Sequence, residues 1–190
     1  MAEVTLNLTK WCRNLLKRTG LYIEETYNCF SLSFWGTQDS VLVEPKRIYI
    51  QPNNYSCGAA SLKTLMEYCG EEIDLGELLK LTQTTENGTP IGNLESVAER
   101  FGFHTEVKRD ANLNDLIRNL RRGRIPLVGY MVNDEEIPEP HYSLVVGING
   151  DRISIADCRT GNVETQNIQD FRRAWYEDKP PRTMLTIFRN

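Results

Sequence analysis

Apolar side chains recur at helical spacing through the middle of the chain and at strand spacing towards its end. After Ser56, apolar residues three or four positions apart predict a helix over residues 57–69, with Gly70 as its stop. Three more helices are predicted from the segments DLGELLKLT, TPIGNLESVAERFG and NLNDLIRNLRRG, the first of them with Asp74 as its N-cap.

Strand patterns follow these helices. The segments IPLVGYMV, HYSLVVGI, RISIADC and RTMLTIFRN are rich in apolar and β-branched residues, and NIQDFRRAWY predicts one more helix before the last strand. Asn149-Gly150-Asp151 is a strong turn sequence, so the second and third of these strands are predicted to form a hairpin. Helices followed by an antiparallel sheet predict the α+β class.

The first part of the chain has a different pattern. NLTKWCRNLLKRTG predicts a short helix, and LYIEETYNCFSLSFWG and SVLVEPKRIYI predict strands, the second of them interrupted at Pro45. We therefore predict an N-terminal extension over residues 1–47 and a main domain over residues 48–190. The segment WCRNLLKRTG is amphipathic, so one possibility left open is that the extension docks over the main domain and inhibits it.

Composition narrows the classes of function. The 190 residues carry a net charge of -4, which disfavours a nucleic-acid binder. No apolar run reaches the roughly 18 residues of a membrane span, and the first residues lack the apolar stretch of a signal peptide, so we expect a cytoplasmic protein. The sequence has no CxxC motif and only two histidines, so we expect neither a metal nor another cofactor.

One of the five cysteines stands at a special position. Cys57 begins the helix predicted over residues 57–69, directly after Ser56 as N-cap, and the unpaired N–H groups and positive dipole of a helix start favour thiolate over thiol. Gly58 is expected to keep the space beside the sulfur open for a substrate carbonyl. The alternative is a small buried core residue, which is how we interpret Cys69.

A nucleophilic thiol needs a base. His104 follows a helix stop and is interpreted as a strand residue at or near the surface. His141 opens the first hairpin strand and Asp157 ends the second, so the two are predicted to lie near-opposite across the hairpin, about 5 Å apart. His141 is the candidate general base and acid, and Asp157 the candidate that orients it. A half-exposed strand-end histidine and a turn-forming aspartate are the alternatives.

Gln51 lies six residues before Cys57, in an extended segment next to Pro52. Acyl transfer builds negative charge on a carbonyl oxygen, and a fixed donor there accelerates the reaction by about 10² to 10³. The side-chain amide of Gln51 and the N–H of Cys57 are the candidate donors. The alternative for Gln51 is an ordinary polar surface residue.

These segments resemble the bacteriocin-processing, or double-glycine, cysteine peptidases, which are papain-like. The resemblance covers residues 48–176 and rests on QPNNYSCGAASLKTLMEYCG, GTPIGNLESVAERFGFHTEV and HYSLVVGINGDRISIAD. It implies a nucleophile at a helix start, packed on an antiparallel sheet. The catalytic positions of the family fall on Cys57, His141, Asp157 and Gln51.

Two residues depart from the pattern of that family. Ser56 stands where an acidic residue is frequent, which removes a charge but keeps an oxygen for capping. Cys158 stands where proline usually follows the aspartate, so the turn after the strand is less rigid. We interpret Cys158 as a plain turn residue, and the alternative is a second thiol near the site.

The sequence therefore predicts a stand-alone cysteine peptidase that acts on a peptide or protein through a thioester, with leader peptides as one possible substrate. The same residues fit transpeptidase, deamidase or amidase chemistry, because the acceptor and the bond decide the reaction. A papain-like domain that binds a peptide without cutting it is the remaining hypothesis, which the presence of all four candidate residues disfavours.

Overall fold

The computed structural model describes residues 40–132, 139–177 and 182–189, and within these ranges it contains five helices and seven strands. The helices are α1 Cys57–Tyr68, α2 Leu75–Leu81, α3 Ile91–Arg100, α4 Leu113–Arg121 and α5 Ile168–Glu177. The strands are β1 Val41–Leu42, β2 His104–Lys108, β3 Leu127–Val132, β4 Glu139–Asn149, β5 Arg152–Asp157, β6 Asn162–Asn167 and β7 Met184–Phe188.

The strands form one antiparallel sheet in the order β2-β7-β3-β4-β5-β6, and β1 pairs with β4. The predicted hairpin is β4 and β5, which turn at Gly150 with a positive φ of 59°. Four of the five helices precede β3 and the strands that follow it in the sequence. The predicted α+β class is therefore confirmed.

Local capping interactions explain where several helices begin. The carboxylate of Asp74 accepts a hydrogen bond from the N–H of Glu77 at 3.0 Å, as expected for an N-cap. Asn112 and Asp115 form a reciprocal capping box at the start of α4. Gly70, just after α1, has a φ of 84°, a left-handed conformation that glycine adopts without steric cost.

The sheet carries an apolar core on each of its two faces. One core contains α1, α2 and α3, through Leu62, Leu65, Met66, Leu78, Leu94 and Val97. The other contains α4 and α5, through Leu116, Leu120, Ile168, Phe171 and Trp175. Consecutive residues Met184 and Leu185 of β7 belong to different cores, as the alternation of side chains along a strand requires.

The structure adds one strand that the sequence pattern does not predict. Asn162–Asn167 reads NVETQN and pairs with β5 at the edge of the sheet. A strand that is largely exposed on both faces lacks the apolar alternation by which strands are recognised. Of the run SVLVEPKRIYI, only Val41–Leu42 is a strand, and it ends before Pro45.

The predicted helix NLTKWCRNLLKRTG and the predicted strand LYIEETYNCFSLSFWG lie outside the described residues. The boundary between residues 47 and 48 stays a prediction. Among the described residues, no helix combines the length and the apolar character needed to cross a membrane.

Two buried threonines provide a matched test of the packing. The hydroxyl of Thr186 in β7 has no hydrogen-bond partner among the described residues, whereas that of Thr82 donates to the carbonyl of Leu78 at 2.8 Å. Both side chains are fully buried. Because an unpaired buried hydroxyl is costly, we expect Thr186→Val to raise the free energy of unfolding by about 1 kcal/mol.

Thr82→Val is the control, and we expect it to lower the free energy of unfolding by about 1 kcal/mol or more, since it removes a satisfied hydroxyl. Urea unfolding followed by circular dichroism measures both values. Equal destabilisation by the two substitutions contradicts the assignment of Thr186.

Candidate active site

Cys57 is the first residue of α1, and its side chain is only 5% exposed. Ser56 occupies the N-cap position, but the predicted side-chain cap is wrong: its hydroxyl donates to the carbonyl of Asn53 at 3.2 Å. The backbone of Ser56, at φ −100° and ψ 14°, lacks the extended conformation that aims a capping oxygen at the helix. The hydroxyl therefore does not occupy the N–H groups beside the sulfur.

His141 and Asp157 form a buried hydrogen-bonded pair. Nε2 of His141 lies 2.9 Å from Oδ1 of Asp157, and the side chains are 6% and 1% exposed. Since Nε2 is engaged by the carboxylate, Nδ1 is the ring nitrogen left to exchange a proton with another group. The two residues are brought together as the hairpin prediction requires.

A β-bulge in β4 determines how this pair meets. The β4–β5 pairing shifts by one residue between Val145 and Gly147 and continues to Leu144↔Ala156. The next position along the ladder would set Ser143 opposite Asp157. Without the shift, Asp157 would instead stand opposite Leu144.

The shift decides which face of the sheet Asp157 occupies. Residues directly opposite each other on paired strands point to the same face, and a slip of one residue reverses the face. Ser143 shares its face with His141 two positions away, whereas Leu144 does not. The bulge therefore brings Asp157 to the face of His141, as a diagonal neighbour rather than a direct cross-strand partner.

Arg159 also binds the Asp157 carboxylate, which sequence reasoning did not predict. Its backbone N–H donates to Oδ1 at 2.8 Å, and its Nε and Nη2 donate to Oδ2 at 3.0 and 2.9 Å. Both guanidinium bonds go to one oxygen and are charge-assisted, which makes them stronger than bonds between neutral groups. The only signal in the sequence is a basic residue two positions after Asp157.

The environment shifts the pKa of both members of the pair. Burial alone would lower the pKa of His141, but hydrogen bonds with Asp157, Cys158 and Cys57 outweigh burial and raise it. Burial would raise the pKa of Asp157, but hydrogen bonds from His141 and Arg159 hold it well below its usual range. The protonated form of His141 is therefore favoured, and Cys57 lies close enough to contribute to the raised pKa.

Gln51 lies beside the turn that follows β5. Its backbone N–H donates to the carbonyl of Cys158 at 2.8 Å, and its Oε1 accepts from Sγ of Cys158 at 3.2 Å. Because Oε1 is engaged, the Nε2 group of the same amide is the part available to a ligand. Gln51 and Cys57 thus both lie beside Cys158, whose sulfur is 3.7 Å from the carbonyl of Cys57.

The interpretation of Cys158 as a plain turn residue is wrong for its side chain. Its backbone begins the turn after β5, but its sulfur is 1% exposed and packs with Cys57 and Ala60. The residue type alone gives no clue to this contact. Cys69, in contrast, packs partly buried against the core, as interpreted, and burial raises its pKa.

A cleft of about 430 Å³ contains Cys57 and His141. Its further lining includes Glu86, Thr89, Glu139 and Tyr142. Gly58 does not face open space as expected, because a Cβ there would lie 3.1 Å from Thr89 Cβ and from Tyr142 Cδ2. A larger cavity of about 640 Å³, between the start of α4 and α5, contains none of the four candidate residues.

The ligand-capable atoms of His141, Asp157 and Cys158 lie within 4.8 Å of one another. A metal ion there would have to displace the proton that His141 shares with Asp157 and compete with the guanidinium of Arg159. The donor set therefore fits a hydrogen-bonded network better than a metal site.

Comparisons with known proteins agree with this fold. The LagD lactococcin-G-processing and transport ATP-binding protein of Lactococcus lactis subsp. lactis is 25% identical over 130 residues, which are 68% of this chain and 18% of LagD. The transport/processing ATP-binding protein ComA of Streptococcus pneumoniae (strain R6) is 36% identical over 112 residues, 58% of this chain and 15% of ComA. The chain thus spans less than a fifth of these relatives.

A solved structure supports the fold directly. The double glycine motif protease of an AMS/PCAT transporter, in complex with the leader peptide, has a TM-score of 0.60 and 17% identity, and covers 79% of this chain and 98% of that one. The papain-like peptidase fold predicted from the sequence is confirmed. The model of the peptidase C39 family matches residues 46–178, and the chain belongs to this family.

Proposed function

We propose that this chain is a cysteine peptidase in which Cys57 attacks a peptide carbonyl. One observation carries the proposal: Cys57 and His141 line the same cleft, and His141 is hydrogen-bonded to the buried carboxylate of Asp157 at 2.9 Å. A buried carboxylate that orients an imidazole towards a thiol is the arrangement that makes a thiol nucleophilic.

The reaction proceeds in two steps through a thioester. The sulfur of Cys57 bonds to the carbonyl carbon, and His141 gives its proton to the departing amine as the peptide bond breaks. Water then attacks the thioester, with His141 taking the proton of the water, and the acid product leaves. Asp157 keeps its charge throughout and stabilises the protonated ring.

The negatively charged oxygen of each tetrahedral intermediate needs hydrogen-bond donors to stabilise it. Nε2 of Gln51 and the backbone N–H of Cys57, at the positive end of α1, supply them in this proposal. A single such donor is worth about 10² to 10³ in rate.

The substrate class follows from the cleft and from the family. Thr89 and Tyr142 pack closely around Gly58 and line the cleft beside Cys57, and in this proposal they favour small residues next to the scissile bond. The exposed carboxylates of Glu86 and Glu139 on the cleft favour basic residues farther along the peptide. We propose leader peptides with a double-glycine motif as substrates, in keeping with the similar double-glycine protease.

The first prediction concerns the reactivity of the thiols. We expect iodoacetamide at pH 6 to alkylate Cys57 well ahead of Cys69, because Cys57 begins α1 in the same cleft as the protonated His141, whereas burial raises the pKa of Cys69. His141→Ala should remove this lead, as measured by mass spectrometry of tryptic peptides.

The other histidine provides the control. His104 lies in β2 with its ring stacked on Phe188, so His104→Ala should leave the alkylation of Cys57 unchanged. Equal labelling of Cys57 and Cys69 in the wild type contradicts the proposed chemistry.

The second prediction concerns pH. The pKa of His141 is raised, so its charge persists through neutral pH and is lost only as the pH rises towards that higher value. In Asp157→Asn the charge is lost as the pH rises past about 6.5. Between pH 6 and 8 we expect the rate of Cys57 alkylation to vary less than about threefold in the wild type, and to rise about tenfold per pH unit in the variant.

Asp170→Asn in α5 is the matched substitution, because its carboxylate pairs only at the surface with Arg173. It should reproduce the wild-type pH profile. Parallel profiles for Asp157→Asn and the wild type would remove the assigned role of the carboxylate.

The third prediction concerns cleavage. Incubation with a panel of double-glycine leader peptides should give cuts directly after the second glycine, detected by mass spectrometry. Replacement of that glycine by valine should lower kcat/KM by about 100-fold or more, since in this proposal Thr89 and Tyr142, which line the cleft, restrict the position next to the scissile bond to small side chains. An uncut panel with a rapidly alkylated Cys57 would refute the leader-peptide assignment while leaving the thiol chemistry in place.

A further inference from the structure

The sulfur of Cys158 lies among oxygen acceptors at the centre of the candidate site. It is 3.2 Å from Oε1 of Gln51, 3.6 Å from the carbonyl of Tyr142 and 3.7 Å from the carbonyl of Cys57. The shortest of the three contacts is the one to the amide of Gln51. A thiol is a weak donor, and here its proton has carbonyl oxygens as neighbours.

We propose that Cys158 is a positioning residue that holds the amide of Gln51 with Nε2 directed to the substrate carbonyl. This inference rests on the proposed function. A glutamine amide can rotate by half a turn and present either its oxygen or its nitrogen, and only the nitrogen donates a hydrogen bond. Since the S–H of Cys158 is satisfied by oxygen, the contact selects the orientation that leaves Nε2 for an oxyanion.

Other roles for this thiol fit the geometry less well. Cys57 lines the cleft of about 430 Å³, whereas Cys158 is 1% exposed and is not among the lining residues, so a substrate carbonyl has poor access to its sulfur. Its contact to His141 is at 4.0 Å and reaches Nε2, the nitrogen already engaged by Asp157. Asp157 is the closer partner of that nitrogen, so Cys158 is poorly placed to use His141 as its base.

Two separate contacts join Gln51 to Cys158, and this makes the proposal testable. The backbone N–H of Gln51 donates to the carbonyl of Cys158 at 2.8 Å, independently of either side chain. Removal of the thiol therefore leaves the backbone of Gln51 anchored and frees only its amide. The experiment therefore measures the loss of a fixed orientation of the Gln51 amide, while Gln51 itself stays in the site.

The experiment compares two reactions of Cys57 in the full chain. A peptide aldehyde that ends in glycyl-glycinal forms a tetrahedral adduct whose oxygen needs the donors, whereas alkylation by iodoacetamide builds no oxyanion. For Cys158→Ala we expect about tenfold weaker aldehyde binding and an alkylation rate within about twofold of the wild type. Cys158→Ser keeps a donor and should lose less affinity than Cys158→Ala.

A double-mutant cycle with Gln51→Ala completes the test. If Cys158 acts through Gln51, its replacement by alanine in the Gln51→Ala background should cause no further loss of aldehyde affinity. Additive losses, or equal losses of aldehyde binding and alkylation, would overturn the positioning role. A wild type that is alkylated at Cys57 but does not bind the aldehyde would overturn the proposed function itself, and the positioning role with it.

Discussion

The candidate site depends on the alternation of side chains along β4 and β5. Two residues on neighbouring strands can cooperate only if they point to the same face, and the regular ladder of this hairpin would put Asp157 and His141 on opposite faces. The extra residue at Val146 corrects this by one position. The same bulge lets neighbouring residues of β4 pack into both cores: Val146 packs into the core with α1, α2 and α3, and Ile148 packs into the core with α4 and α5. One irregularity in the ladder thus serves both the packing of the sheet and the geometry of the pair.

Burial of ionisable groups is the second constraint, and the network around Asp157 compensates for it. A buried carboxylate without partners would take up a proton. Here His141 occupies one oxygen, and the guanidinium of Arg159 occupies the other. Arg159 also competes with His141 for the same charge, so it moderates the influence of Asp157 on the imidazole while it fixes the orientation of the carboxylate. A proline in place of Cys158 would leave the backbone of the turn stiffer but would offer no side-chain donor to Gln51.

Local patterns predicted most of the fold and the members of the candidate site, but not their contacts. Helical periodicity located α1 and its first residue Cys57, and the Asn149-Gly150 turn located the β4–β5 hairpin. The bulge has no residue pattern of its own, so the register and the diagonal contact of His141 could not be predicted. β6 could not be predicted because it lacks an apolar face. The hydroxyl of Ser56 bonds to Asn53 instead of capping α1, because the backbone conformation decides between these two partners and the residue type does not fix that conformation. Arg159 and Cys158 are ordinary in sequence and acquire their contacts only when the turn after β5 meets the segment at Gln51.

The contact between Cys158 and Gln51 joins two parts of the chain that are 107 residues apart. A contact between residues this far apart closes a long loop of chain, so the entropy of loop closure has to be offset by the contacts that it permits. During synthesis, α1 and Cys57 leave the ribosome long before β5 does. At that stage Gln51 has no contact with Cys158. A nascent or partly unfolded chain therefore carries Cys57 before Gln51 and Cys158 are in contact, and the candidate site is assembled only when the sheet is complete.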